Sequence, residues 1–202
     1  MKFTWQVHRD GSFALRAGTL AIENCYPALD GQPVHPLRVA VTSSPARSKI
    51  VYTLDGATLT LRLDHDGTCA RLACSLRGPC TAPHWVQPVS HARVSGAGRF
   101  FRHGLGFSGP SGFVPVEHQK TPWSHDSYLS SAVVAASGTA ISCGALEHRR
   151  VLQKTTLHNR LVRSDFCNRR IVDDAALLEL GFATEGIALP AAGLALPPLY
   201  FC

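Results

Sequence analysis

Alternation of apolar and polar residues is the dominant pattern along this chain. Thr58-Leu59-Thr60-Leu61-Arg62-Leu63-Asp64 sets three leucines on one side and polar groups on the other, the period-two signature of a strand with one buried face. Residues 49–54 precede it across Asp55-Gly56, and residues 68–76 follow it across Asp66-Gly67. Asp10-Gly11 joins residues 4–9 to 12–16, and Ser137-Gly138 joins 128–136 to 139–146. A two-residue Asp-Gly connection favours a hairpin, because both turn positions take positive φ. The four turns predict a meandering antiparallel sheet system. Residues 173–180 could open a short helix on a capping aspartate, but Leu178-Glu179-Leu180-Gly181-Phe182-Ala183 alternates as a strand, and strand is the preferred reading. The fold expected is all-β: two stacked antiparallel sheets, almost no helix, with residues 1–202 forming a single sandwich domain.

One stretch departs from the alternation. Residues 96–127 are rich in Gly, Pro, Ser and His, and carry Phe100, Phe101, Phe107, Phe113 and Trp123. They read as a long aromatic loop lying across a sheet edge or rim, with Phe107, Phe113 and Trp123 partly exposed.

Composition fits a globular domain, with 45% hydrophobic and 17% charged residues. No apolar run approaches the roughly 18 residues a membrane helix needs, and Met1-Lys2-Phe3-Thr4-Trp5-Gln6 lacks the apolar segment of a signal peptide. The expectation is a soluble, cytoplasmic protein without a membrane partner. Net charge is +6, but the basic residues look scattered along the chain, with Arg149-Arg150 and Arg169-Arg170 the densest groups. Nucleic acid is therefore not expected as a partner. The cysteines at 25, 69, 74, 80, 143, 167 and 202 are irregularly spaced and read as reduced structural thiols, Cys74 as a small core residue in phase with Ala70, Leu72 and Leu76.

Few motifs carry chemistry. Gly104-Leu105-Gly106-Phe107-Ser108-Gly109 matches the dinucleotide fingerprint, but Pro110, Gly112 and Pro115 follow at once, so no helix can receive a pyrophosphate. The ten histidines include no metal-binding pair on a helix, and Glu147 and His148 are strand neighbours pointing to opposite faces. No cofactor, metal or catalytic residue is assigned. Trp123-Ser124-His125-Asp126-Ser127 is the most chemically loaded segment. A tryptophan can cover a pyranose face while a carboxylate takes its hydroxyls. Trp123, His125 and Asp126, with Phe107 and Phe113, are thus the candidate substrate-binding residues; the alternative is an aromatic anchor packing a loop, with Asp126 capping a turn.

From Phe100 onward the chain resembles the N-terminal domain of glycoside hydrolase family 36 α-galactosidases and their melibiase-like relatives. Phe100-Phe101-Arg102-His103-Gly104-Leu105-Gly106-Phe107-Ser108-Gly109-Pro110-Ser111-Gly112-Phe113 occupies the position of the family's tryptophan-bearing loop, with Leu105 and Ser108 where the family has Trp. His125-Asp126-Ser127-Tyr128-Leu129 through Cys143-Gly144-Ala145-Leu146-Glu147-His148-Arg149-Arg150 resembles the strand pair that follows, and Gly186-Ile187-Ala188-Leu189-Pro190-Ala191 the last strand before the family's barrel. The resemblance implies a galactose-mutarotase-like supersandwich that supports a C-terminal catalytic barrel outside this chain, with carbohydrate as the ligand class. It implies a non-catalytic accessory domain, part of a longer protein and possible in a homo-oligomer. A stand-alone carbohydrate-binding protein is the second reading, and an aldose-epimerase-like enzyme using His and Glu for proton transfer the third.

Overall fold

A computed structural model describes residues 3–78, 83–104, 109–116, 123–147, 151–162, 169–171, 175–184 and 193–202. The strands are β1 (Phe3–Val7), β2 (Phe13–Ala17), β3 (Leu20–Leu29), β4 (Gln32–Pro33), β5 (Arg38–Ser43), β6 (Arg47–Thr53) and β7 (Thr58–His65). They continue with β8 (Ala70–Arg77), β9 (Trp85–Ser95), β10 (Ala97–Arg102), β11 (Gly112–Pro115), β12 (Ser124–Tyr128), β13 (Ser130–Ala135) and β14 (Ala140–Ala145). The last are β15 (Leu152–His158), β16 (Arg160–Val162), β17 (Arg169–Ile171), β18 (Ala176–Ala183), β19 (Leu194–Ala195) and β20 (Leu199–Phe201). No helix occurs among the described residues.

Two antiparallel sheets carry the fold, as the alternation predicts. An eight-stranded sheet runs β1-β2-β3-β9-β18-β15-β12, with β4 beside β3; a ten-stranded sheet runs β11-β10-β13-β14-β20-β8-β7-β6-β5, with β19 beside β8. β16 and β17 pair separately. Period two turns one side of every long strand inward. Ile50, Tyr52, Leu59, Leu61, Leu63 and Leu72 of the larger sheet meet Phe13, Ile22, Val89, Leu178, Leu180 and Phe182 of the smaller in one core. Cys74 lies in that core, as its phase in β8 requires.

The hairpins fall where the Asp-Gly pairs stand, but their geometry differs from the expectation. At Asp55-Gly56 only Gly56 has positive φ, +70°. The 128–136 run is not one strand. Leu129, at φ +69°, breaks it between β12 of the smaller sheet and β13 of the larger, so the chain changes layer there. Nor is 96–127 one loop: β10 and β11 form a hairpin at the edge of the larger sheet, and β12 edges the smaller. Short strands tolerate Gly and Pro at a sheet edge, where missing ladder bonds cost little.

One cysteine expectation is corrected. Cys69 and Cys202 form a disulfide, Cα atoms 4.4 Å apart. Phe201 pairs with Ala70 in the β8–β20 ladder, so the next residues outward, 69 and 202, face each other across the two strands. Cys25, Cys74 and Cys143 are free and buried; Cys80 and Cys167 lie outside the described residues.

Candidate functional site on the outer face of the eight-stranded sheet

The residues singled out in the sequence do not converge. On β12, alternation sends His125 and Ser127, with Trp123 just ahead of the strand, toward the core side and Asp126 to the opposite face, because Leu157, the register partner of His125, is a core residue. Trp123 is 7% exposed, not partly exposed as expected; its indole packs in the core and its backbone N–H donates to Asn159 Oδ1 at 2.9 Å. His125 stacks at a tilt on it, ring centroids 5.4 Å apart. Phe113 is exposed, at 58%, and meets Phe101 edge-on beneath the Arg99 guanidinium. Phe107 lies outside the described residues. Asp126 alone joins a polar constellation: it accepts from Thr156 Oγ1 at 2.8 Å and pairs with Lys154 Nζ at 2.9 Å.

That constellation covers the outward face of β9, β18 and β15. Because Leu178, Leu180 and Phe182 point into the core, Leu177, Glu179 and Gly181 of β18 point away from it. Thr156 stands opposite Glu179, Lys154 opposite Gly181, and His158 opposite Leu177. Two bulges in β9 aim its side chains at the same place. Between the pairs Leu178–Ala92 and Leu180–Val89, the single residue Glu179 faces two, Ser90 and His91; between Leu180–Val89 and Phe182–Val86, Gly181 faces Gln87 and Pro88. His91 takes a left-handed φ of +51°, a conformation that costs a side-chain-bearing residue about 1–3 kcal/mol and re-aims its ring toward Glu179. The second bulge also accommodates Pro88, which has no N–H for a central ladder.

Glu179 is the centre. Its side chain is 17% exposed. His158 Nε2 lies 3.3 Å and His91 Nε2 3.6 Å from its Oε1, and Gln87 Nε2 donates to Oε2 at 3.0 Å. Burial pushes the carboxyl pKa up, but the hydrogen bond and charge of His158, with His91 and Gln87, outweigh it and hold the group below the ordinary carboxylate range. His91 is shifted down, chiefly by burial and further by His158, against the pull of Glu179. At neutral pH His91 is therefore neutral beside an ionised Glu179. Its Nδ1 shares a 2.6 Å hydrogen bond with Ser90 Oγ.

Beside the carboxylate the sheet face sinks into a depression of about 200 Å³ lined by Trp85, Gln87, Lys154, Thr156, Glu179 and Gly181. Gly181 is required there: a Cβ at this position would stand 2.6 Å from Trp85 Nε1 and 2.8 Å from Gln87 Cγ. The indole thus lies against bare backbone next to the polar cluster. Gln87 is 2% exposed, and its Oε1 has no hydrogen-bond partner among the described residues. Buried acceptors of this kind are few, and an ordered water or a ligand commonly completes them. The arrangement offers one aromatic face, one ionised carboxylate, an amide, a hydroxyl and an ammonium, which suits a small polyhydroxylated ligand. No group of three or more His, Cys, Asp or Glu side chains among the described residues could hold a metal ion.

Sequence reasoning missed Trp85, Gln87, His91, His158 and Glu179 because they come from three strands far apart in the chain. The available signal was local: Gln87-Pro88 and Ser90-His91 break the alternation of β9 and mark its bulges. Comparison with protein-family models finds no match, and comparison with curated proteins finds no significant one.

Proposed function

We propose that this chain is a carbohydrate-handling accessory sandwich, the N-terminal kind that supports the catalytic barrel of an α-galactosidase-like glycoside hydrolase, and that its sugar contact is the depression beside Glu179. The observation that carries the reading is the Trp85 indole packed closely against the bare backbone of Gly181 at the edge of a carboxylate–amide–ammonium cluster. An aromatic ring covers the apolar face of a pyranose while charged and amide groups bond its hydroxyls. The depression has room for about one sugar ring. The two-sheet architecture agrees with the resemblance to family 36 N-terminal domains. Titration of the protein with galactose and simple α-galactosides, followed by backbone amide shifts, tests this. Shifts centred on residues 85–87, 154–156 and 179–181, lost in Trp85→Ala, are the expected result; shifts elsewhere, or none, remove the assignment.

A second reading draws on the two imidazoles that flank Glu179. A carboxylate next to histidines can shuttle a proton on and off a sugar hydroxyl, the chemistry of an aldose epimerase. It predicts faster interconversion of galactose anomers, measured by polarimetry, and its loss in Glu179→Gln. Binding without that acceleration leaves the accessory-domain reading in place.

A further inference from the structure

The basic charge that looks scattered in the sequence is gathered by the fold. On β7, Leu59, Leu61 and Leu63 turn inward, so Thr58, Thr60, Arg62 and Asp64 face outward, and the ladder registers place their partners beside them. The outer face of β5–β8 thereby carries Arg38, Arg47, Lys49, Arg62, Arg71 and Arg77 against one carboxylate, Asp64. Asp64 is already shared: Arg47 Nε lies 3.3 Å from its Oδ1 and Arg71 Nη1 3.6 Å from its Oδ2.

One row along, Lys49 stands directly opposite Arg62. Thr42 is the register partner of Lys49 on its other side, and Ala73 that of Arg62. Among the described residues neither Lys49 nor Arg62 forms an ion pair. Like charges directly opposite in an antiparallel pair destabilise it, and the one carboxylate on this face, Asp64, is shared between Arg47 and Arg71 and pairs with neither Lys49 nor Arg62. The two cations line a depression of about 400 Å³ together with Arg47, Arg71, the Asp64 carboxylate those two arginines share, and residues Thr42, Ser43, Ser44 and Ser48. No residue lining it is aromatic, so it offers no surface for stacking a nucleobase. Clustered cations with hydroxyl donors are suited to a compact, multiply charged oxyanion.

We propose that this depression binds an oxyanion, a sulfate or phosphate carried as an ester or as the free ion, between Lys49 and Arg62. The ion supplies countercharge that the shared Asp64 does not, and the hydroxyl of Thr42, beside Lys49 on β5, completes its shell, since those of Ser43 and Ser44 are bonded to Ser48 and to the Arg47 carbonyl. The site lies on the opposite sheet from the Glu179 cluster and does not depend on the sugar reading.

The experiment titrates the protein with sodium sulfate, sodium phosphate and dextran sulfate at ionic strength fixed with sodium chloride, following backbone amides and Tm. Saturable shifts confined to residues 42–44, 49 and 62 are expected. Response to the free ions identifies a small-ion site, and response to dextran sulfate but not to uncharged dextran or the free ions identifies an ester on a polymer; both support the proposal. Saturation matters because sulfate and phosphate also raise Tm without binding, by exclusion from the surface. Lys49→Glu gives the sharper test. It places opposite charges across the row, so the ion-free protein should gain Tm while anion affinity falls by about tenfold or more. Arg62→Ala should weaken binding without that gain in Tm. Undiminished binding in both variants, or no difference between these anions and chloride, would overturn the site.

Discussion

The phenol of Tyr52 donates a 2.6 Å hydrogen bond to the carbonyl of Gly11, tying the C-terminal end of β6 in one sheet to the β1–β2 loop of the other. Tyr52 is fully buried, and burial raises its pKa, so the group is a neutral donor across the usable pH range. Tyr52→Phe leaves the ring and strands the Gly11 carbonyl; the expected loss is about 1–3 kcal/mol in urea unfolding, without change in fold. Gly11→Ala should cost at least as much. At φ +87° a Cβ would lie 2.8 Å from Tyr52 Cε1 and 2.9 Å from Val39 Cγ1.

Acid should destabilise the protein in two stages. The folded-state pKa of His91 is depressed, so the unfolded chain binds its proton first, and stability present above the ordinary histidine value of about 6.5 is lost as pH falls below it. Glu179 is depressed as well, so a second contribution is lost below about 4.5. Urea midpoints measured from pH 8 to about pH 3 should fall, and Glu179→Gln should flatten the lower limb. An unchanged limb in that variant would show that other carboxylates dominate it.

Reduction should weaken the fold without exposing the core thiols. The Cys69–Cys202 bond closes a loop of 133 residues, worth up to about 5 kcal/mol by chain entropy. A lower Tm under reductant, reproduced by Cys202→Ser, is the expected outcome. Burial raises Cys143 to about 11 and Cys74 to about 12, with Cys25 higher still, so these three should resist alkylation at neutral pH until the protein unfolds. Mass spectrometry of alkylated peptides reads both effects.

Gly181→Ala is expected to displace Trp85 and remove sugar-induced shifts while the core side of β18 stays packed, since Leu180 and Phe182 face the other way. Indole fluorescence and the amide spectrum separate loss of the site from loss of the fold.

Most of the architecture was legible because period two reports which side of a strand is buried, and Asp-Gly pairs report where strands reverse. The limits were equally physical. Alternation cannot say which strands become neighbours, so the meeting of His91, His158 and Glu179 across β9, β15 and β18 was invisible. It also reads through a residue such as Leu129, whose side chain gives no hint of a left-handed φ and a change of layer. Composition suggested that Trp123 lay in an exposed aromatic loop; it anchors an edge strand instead, because the inward phase of β12 is shared with Leu157. Of the expected contact residues, Asp126 alone reaches the polar face, in the same cross-strand row as Glu179 with Thr156 between them.

β20 has a temporal meaning. It is the three-residue wedge through which β8 and β14 belong to one sheet, and it is made about 120 residues after β8 ends. At roughly 5–20 residues per second, a nascent chain waits on the order of ten seconds with the open edge of β8 unsatisfied. Such an edge invites pairing with a second nascent chain. Arg71 and Arg77 stand at either end of β8 on its outward side, and charged side chains on an edge disfavour its pairing with a second copy. The wedge then seats Leu199 and Phe201 in the core, and the disulfide at its outer end locks the closure.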